Sequence, residues 1–149
     1  MRLKTFNRYS FPDCDISCGT IAVSLVTGKC PSETKRRLTR LRTKSGWSWH
    51  KILVNSDYMY WYEAVTLVGR LAKTTKTIYP RYSPPLKNII KKFKRGETYL
   101  VCTTDHLQVV KDGLIYDAYE NGSLFPFQAT RHPWAKRKTW CYRRLTSGK

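Results

Sequence analysis

Acidic side chains are scarce in this sequence. Ten Asp and Glu stand against 28 Lys and Arg, for a formal net charge of +18. A surface so short of anions attracts polyanions, whether nucleic acid, acidic protein or anionic lipid, through its summed field. Long apolar runs are missing too. No stretch approaches the roughly 20 residues that a helix needs to cross a bilayer, which excludes a helical membrane span. The N-terminal MRLKTFNRYSF lacks the apolar core of an export signal. Five cysteines are an odd number, so reduced thiols in a cytoplasm are expected rather than a disulfide framework. Cys14 and Cys18 have a C-x3-C spacing, but no second CxxC or HxxxH pair follows, which weighs against a zinc centre. No metal or other cofactor is expected. Internal repeats and low-complexity linkers are absent as well, and nothing divides the chain.

What is present suits one compact domain over residues 1–149. The chain is 41% hydrophobic and 13% aromatic, enough for a core. Residues 18–27 read as a short buried helix with Ile21, Ala22, Leu25 and Val26 on one side and Gly28 at its end. Ser32 is a candidate cap for a second, basic helix, with Glu33 in its first turn. From Met59, Trp61, Ala64, Val65, Val68 and Leu71 keep helical spacing. KTTKTIYPRY then reads as extended chain. Ser83, Pro84 and Gly96 bracket another helix, whose buried face is Leu86, Ile89, Ile90 and Phe93. Four strand-like runs follow: ETYLVCT, HLQVVK, LIYDAY and TWCYRRL. Helices first and a small antiparallel sheet after make an α+β pattern.

Asp112-Gly113 between two alternating runs predicts a tight hairpin, because a type I′ turn needs positive φ at both central residues. Lys111 then pairs with Leu114, Val110 with Ile115, Gln108 with Asp117 and His106 with Tyr119. Directly opposed residues share a sheet face, so His106 and Asp117 become diagonal neighbours roughly 7–8 Å apart. A slip of one residue would separate them. Cys18 meanwhile begins a helix, where the backbone dipole favours a thiolate and an imidazole could complete the ion pair. Gly19 is expected to leave open space beside the sulfur, and the Cys18 backbone N–H to face a developing oxyanion. Cys14 is the rival nucleophile. Cys30, Cys102 and Cys141 read as core or surface thiols.

A cysteine at the start of a helix ending in Thr27-Gly28, then GETYLV, His106, an Asp112-Gly113 turn and Asp117, resembles the papain-like cysteine peptidases. It is similar above all to small papain-like proteins encoded by bacteriophages. The likeness covers both ends of the chain and the helix at 84–94, but little of residues 42–82. It implies a papain-like fold in which the Cys18 helix packs on the sheet carrying His106 and Asp117. It also implies a thiol hydrolase acting on a peptide or isopeptide bond, with Cys18 as nucleophile, His106 as general base and acid, and Asp117 orienting the imidazole. The same triad serves acyl transfer. Two positions depart from the family pattern. Ser17 stands before Cys18 where the family has Asp or Asn, while Asp13-Cys14 carries that pair. Pro12 replaces the glutamine that donates to the oxyanion, and Pro has no backbone N–H to substitute. Asn7 could serve if its loop folds back. For a phage-encoded chain the expected location is the host cytoplasm or the virion.

The competing expectation is a basic nucleic-acid-associated protein with a non-catalytic papain-like fold. Arg36, Arg40 and Lys44 recur along one helix with Arg37 beside them, Lys91 and Lys92 belong to a second basic cluster, and RHPWAKRK forms a third. Six of the ten acids flank the proposed catalytic segments: Asp13, Asp15, Asp105, Asp112, Asp117 and Glu120. The excess positive charge therefore lies mostly elsewhere.

Overall fold

The computed structural model describes Leu3 and residues 18–44, 59–104, 106–116, 127–128 and 133–146. Within them the chain is an α+β structure. Three helices, α1 (Cys18–Thr27), α2 (Pro31–Lys44) and α3 (Trp61–Val68), precede a 3-10 turn at Gly69–Ala72 and a short α4 (Leu86–Ile90). Strands β1 (Thr98–Thr103), β2 (His106–Lys111), β3 (Leu114–Tyr116), β4 (Phe127–Gln128) and β5 (Thr139–Leu145) follow. They form one antiparallel sheet in the order β4-β3-β2-β1-β5. Among the described residues no helix is long and apolar enough to cross a membrane.

The sheet is covered on both faces. On one, Leu100, Leu107, Val109 and Leu145 meet Ile21, Ala22, Leu25 and Val26 of α1, Leu38 of α2, and Ala64, Leu67 and Val68 of α3. On the other, Tyr99, Val101, Val110 and Ile115 meet Leu86 and Ala135, with Ile90, Phe93 and Tyr142 half-buried around them. Phe93 stacks on Tyr99 with ring centroids 3.8 Å apart. α1 is buried over nearly its whole length, which explains why its apolar stripe is broad. It ends at Gly28, whose N–H donates to Ser24 O and whose φ of 75° is left-handed.

Two helix starts differ from the expectation. α2 begins at Pro31, so Cys30, not Ser32, occupies the cap position, and Cys30 O accepts the Thr34 N–H. Proline suits the first helical position because its missing N–H would have been unsatisfied anyway. α4 is also shorter than the bracket from Ser83 to Gly96. A residue that precedes proline is driven out of the α region, and here Ser83 precedes Pro84 and Pro84 precedes Pro85. The two prolines run extended instead: Pro84 O accepts the Thr139 N–H, and Pro85 bridges Lys138. Lys91 and Lys92 therefore lie just beyond α4, both exposed.

Candidate functional site

The hairpin register is as the turn chemistry requires. Lys111 pairs with Leu114, Val110 with Ile115 and Val109 with Tyr116. Asp112 and Gly113 have φ of 52° and 74°, as a type I′ turn demands. Asp112 is fixed further by its Oδ1, which accepts the Gly96 N–H at 2.6 Å. Asp117 itself lies outside the described residues, as do Asn7 and Cys14.

Cys18 is the first residue of α1 and is half-buried against the helical core. The open space expected at Gly19 is instead occupied. A Cβ there would lie 2.6 Å from Met59 Cβ and 3.2 Å from Leu107 Cδ1. The missing side chain is what lets the first turn of α1 approach Met59 so closely, with Leu107 of β2 alongside. Leu107 is the neighbour of His106, the first residue of β2, so the starts of the two elements meet at this contact.

The faces are less simple. Leu107 and Val109 point toward α1, so strand alternation puts His106 and Gln108 with Val110 on the opposite face. There His106 is 2% exposed, and its strand partner is Thr103. Thr103 pairs in turn with Thr139 across β5, and Gln108 Nε2 donates to Thr103 Oγ1 at 3.4 Å. His106 thus belongs to a buried polar group of Thr103, Gln108 and Thr139. His106 and the helix that Cys18 opens therefore lie on opposite faces of the sheet.

The other described thiols differ in kind. Cys102 and Cys141 are directly opposed on β1 and β5. A hydrogen bond with Cys102, together with burial, pushes the Cys141 thiol far above the usual range, so it is a poor nucleophile. Cys30 is the thiol the sequence reading undervalued. Its Sγ lies 3.3 Å from Ser32 Oγ at the start of α2. That hydrogen bond first, and the Glu33 backbone N–H second, lower its pKa. The signal was present in CPSE, where a cysteine directly precedes a proline suited to open a helix.

The basic helix also resolves residue by residue. Arg36 pairs with Glu33 at 2.5 Å, and Arg37 Nη2 donates to Leu67 O at 3.1 Å, tying α2 to α3. Arg40 and Lys44 are exposed. Among the described residues no cluster of three His, Cys, Asp or Glu could hold a metal ion. Comparison with protein-family models, curated proteins and solved structures returns no match.

Proposed function

We propose that the chain is a thiol hydrolase that cleaves a peptide or isopeptide bond through Cys18, His106 and Asp117. The observation that carries this reading is positional: a half-buried Cys18 opens α1, the next residue lies against Met59 and Leu107, and Leu107 adjoins His106, which begins β2 on the opposite sheet face. In the reaction, the Cys18 thiol gives its proton to the His106 imidazole as Sγ bonds to the substrate carbonyl carbon. The Cys18 backbone N–H at the start of α1 faces the oxyanion. The C–N bond then breaks and the imidazolium returns the proton to the leaving amine. Water, deprotonated by the imidazole, hydrolyses the thioester and frees the thiol. An amine in place of that water gives acyl transfer from the same intermediate.

The test is turnover of a peptide library by the wild type, Cys18→Ala and Cys14→Ala, with mapping of the cysteine that a peptidyl vinyl sulfone labels. Cys18→Ala should lose roughly a thousandfold or more of the rate and the label, and Cys14→Ala neither. Wild-type turnover in Cys18→Ala, or labelling that maps to Cys14, would reject the assignment.

A further inference from the structure

A feature on the far side of β1 from β2 takes no part in this chemistry. After the 3-10 turn at Gly69–Ala72, the chain runs along the outer edge of β5 as a strap. Ile78 and Tyr142 exchange both backbone hydrogen bonds, at 2.8 and 3.0 Å. Further on, the Thr139 N–H donates to Pro84 O and the Leu86 N–H to Arg137 O, each at 2.9 Å. Between these two clamps, residues 79–83 leave the strand. β5 carries a bulge at the same level. Cys102 pairs with Cys141 and Thr103 with Thr139, so Trp140 has no partner on β1.

Four large apolar or aromatic side chains are displayed here: Ile78 at 48% exposure, Tyr79 at 71%, Tyr82 at 84% and Trp140 at 48%. They are the four most exposed large hydrophobic residues among those described. Rings left in water over so short a stretch mark a contact surface. The backbone is strained to hold them. Tyr82 and Ser83 are consecutive non-glycine residues in the left-handed region, with φ of 65° and 44°. Such residues cost of order 1–3 kcal/mol each and persist where the surroundings over-determine them. The over-determination is visible. Arg143 Nη1 donates to Thr77 Oγ1 at 3.3 Å, Thr75 Oγ1 donates to Arg144 O, and the two clamps flank the loop.

The charged residues of the segments that carry these rings are of one sign. Lys76, Arg81, Lys87, Lys136, Arg137 and Lys138 are exposed on the strap, α4 and the segment that leads into β5. None of the ten acids falls within residues 64–96 or 121–149. The Arg81 guanidinium lies 5.0 Å from the Tyr82 ring centroid, so cation and ring are presented together. α2 has cations but no exposed ring.

We infer that the strap and the β5 edge bind single-stranded nucleic acid, with Tyr79, Tyr82 and Trp140 stacking on unpaired bases and the surrounding Lys and Arg neutralising phosphates. Unpaired bases offer π-faces to exposed rings, and a cationic groove holds their backbone. A duplex hides those faces and leaves only phosphate contacts. An acidic peptide would use the cations but leave three aromatic planes without a role.

The experiment is fluorescence anisotropy of labelled oligothymidylate and oligouridylate with the full chain, over a range of salt. A DNA duplex, polyglutamate and phosphatidylserine vesicles serve as competitors. Tyr82→Ala and Trp140→Ala should each weaken oligothymidylate binding by roughly 5- to 150-fold, the range for loss of one stacked base. Tyr82→Phe should bind as the wild type. Lys136→Gln and Arg137→Gln should each reduce the slope of log affinity against log salt by about one. Both aromatic sites are exposed, so their unfolding midpoints should match the wild type and separate lost stacking from lost fold. A preference between the two oligonucleotides identifies DNA or RNA as the ligand. The inference fails if the alanine variants bind as the wild type, if Tyr82→Phe loses affinity as Tyr82→Ala does, or if duplex, polyglutamate or vesicles compete more strongly than unlabelled single strands. It does not depend on Cys18, because every arm reads binding alone.

Discussion

A single side chain's immediate partners decide its chemistry, and the cysteines demonstrate it. Cys18, Cys30 and Cys141 share a functional group, yet one opens a buried helix, one caps a basic helix, and one is sealed in the sheet. Only Cys30 gains both the Ser32 hydroxyl and the Glu33 N–H. Its pKa is lowered, so its thiolate persists to lower pH. Iodoacetamide should therefore reach half-maximal rate at Cys30 at a lower pH than at an ordinary thiol near ~8.5. Ser32→Ala should move that midpoint upward, read by site-resolved mass spectrometry; unchanged profiles would show that the hydroxyl is not the cause. This also bears on the catalytic assignment, since bulk thiol reactivity would report Cys30 alongside Cys18. At this scale the sequence was informative where geometry is local. The Asp112-Gly113 turn was legible because two adjacent residues fix their own φ. The Cys30 cap was not legible because serine is the commoner cap residue, and Ser32 stands only two residues further on.

Helices α2 and α3 are joined by a bond that no periodicity reveals. Arg42 and Glu63 are both fully buried. Arg42 Nε donates to Glu63 Oε2 at 2.7 Å and Nη2 to Oε1 at 3.0 Å, while the Tyr60 N–H also donates to Oε1. Glu63 thus caps α3 and holds the last turn of α2 at once. Removing one partner of such a pair leaves a buried charge uncompensated. Glu63→Ala should lose roughly 3–5 kcal/mol in urea unfolding, whereas Arg42→Met combined with Glu63→Leu should recover most of it. A loss below 1 kcal/mol for the single variant would mean that Arg42 finds other partners. The helical spacing around these residues was readable, since Leu38, Ala64 and Val68 face the core as expected. The pairing was not, because a buried arginine looks in sequence like any other member of a basic helix.

Across the whole molecule, the sheet divides two candidate activities. The first turn of α1 meets the start of β2 on one side of β1, while the strap lines the outer edge of β5 on the other. Contacts with no shared partner act independently. Cys18→Ser should therefore retain oligothymidylate affinity, and Trp140→Ala should retain peptide turnover, each within about twofold. Loss of both functions in either variant would show that the two surfaces form one site. The sequence by itself determined the α+β class, the tight hairpin, the limits of α1 and the excess of cations, because periodicity, turn chemistry and composition are properties of neighbouring residues. Tertiary structure alone decided that Gly19 is packed rather than open, that His106 alternates away from the α1 face, and that strap and bulge bring Tyr79, Tyr82 and Trp140 to one edge. Each depends on which segments meet across the sheet, and that is set by long-range pairing, to which local sequence is blind.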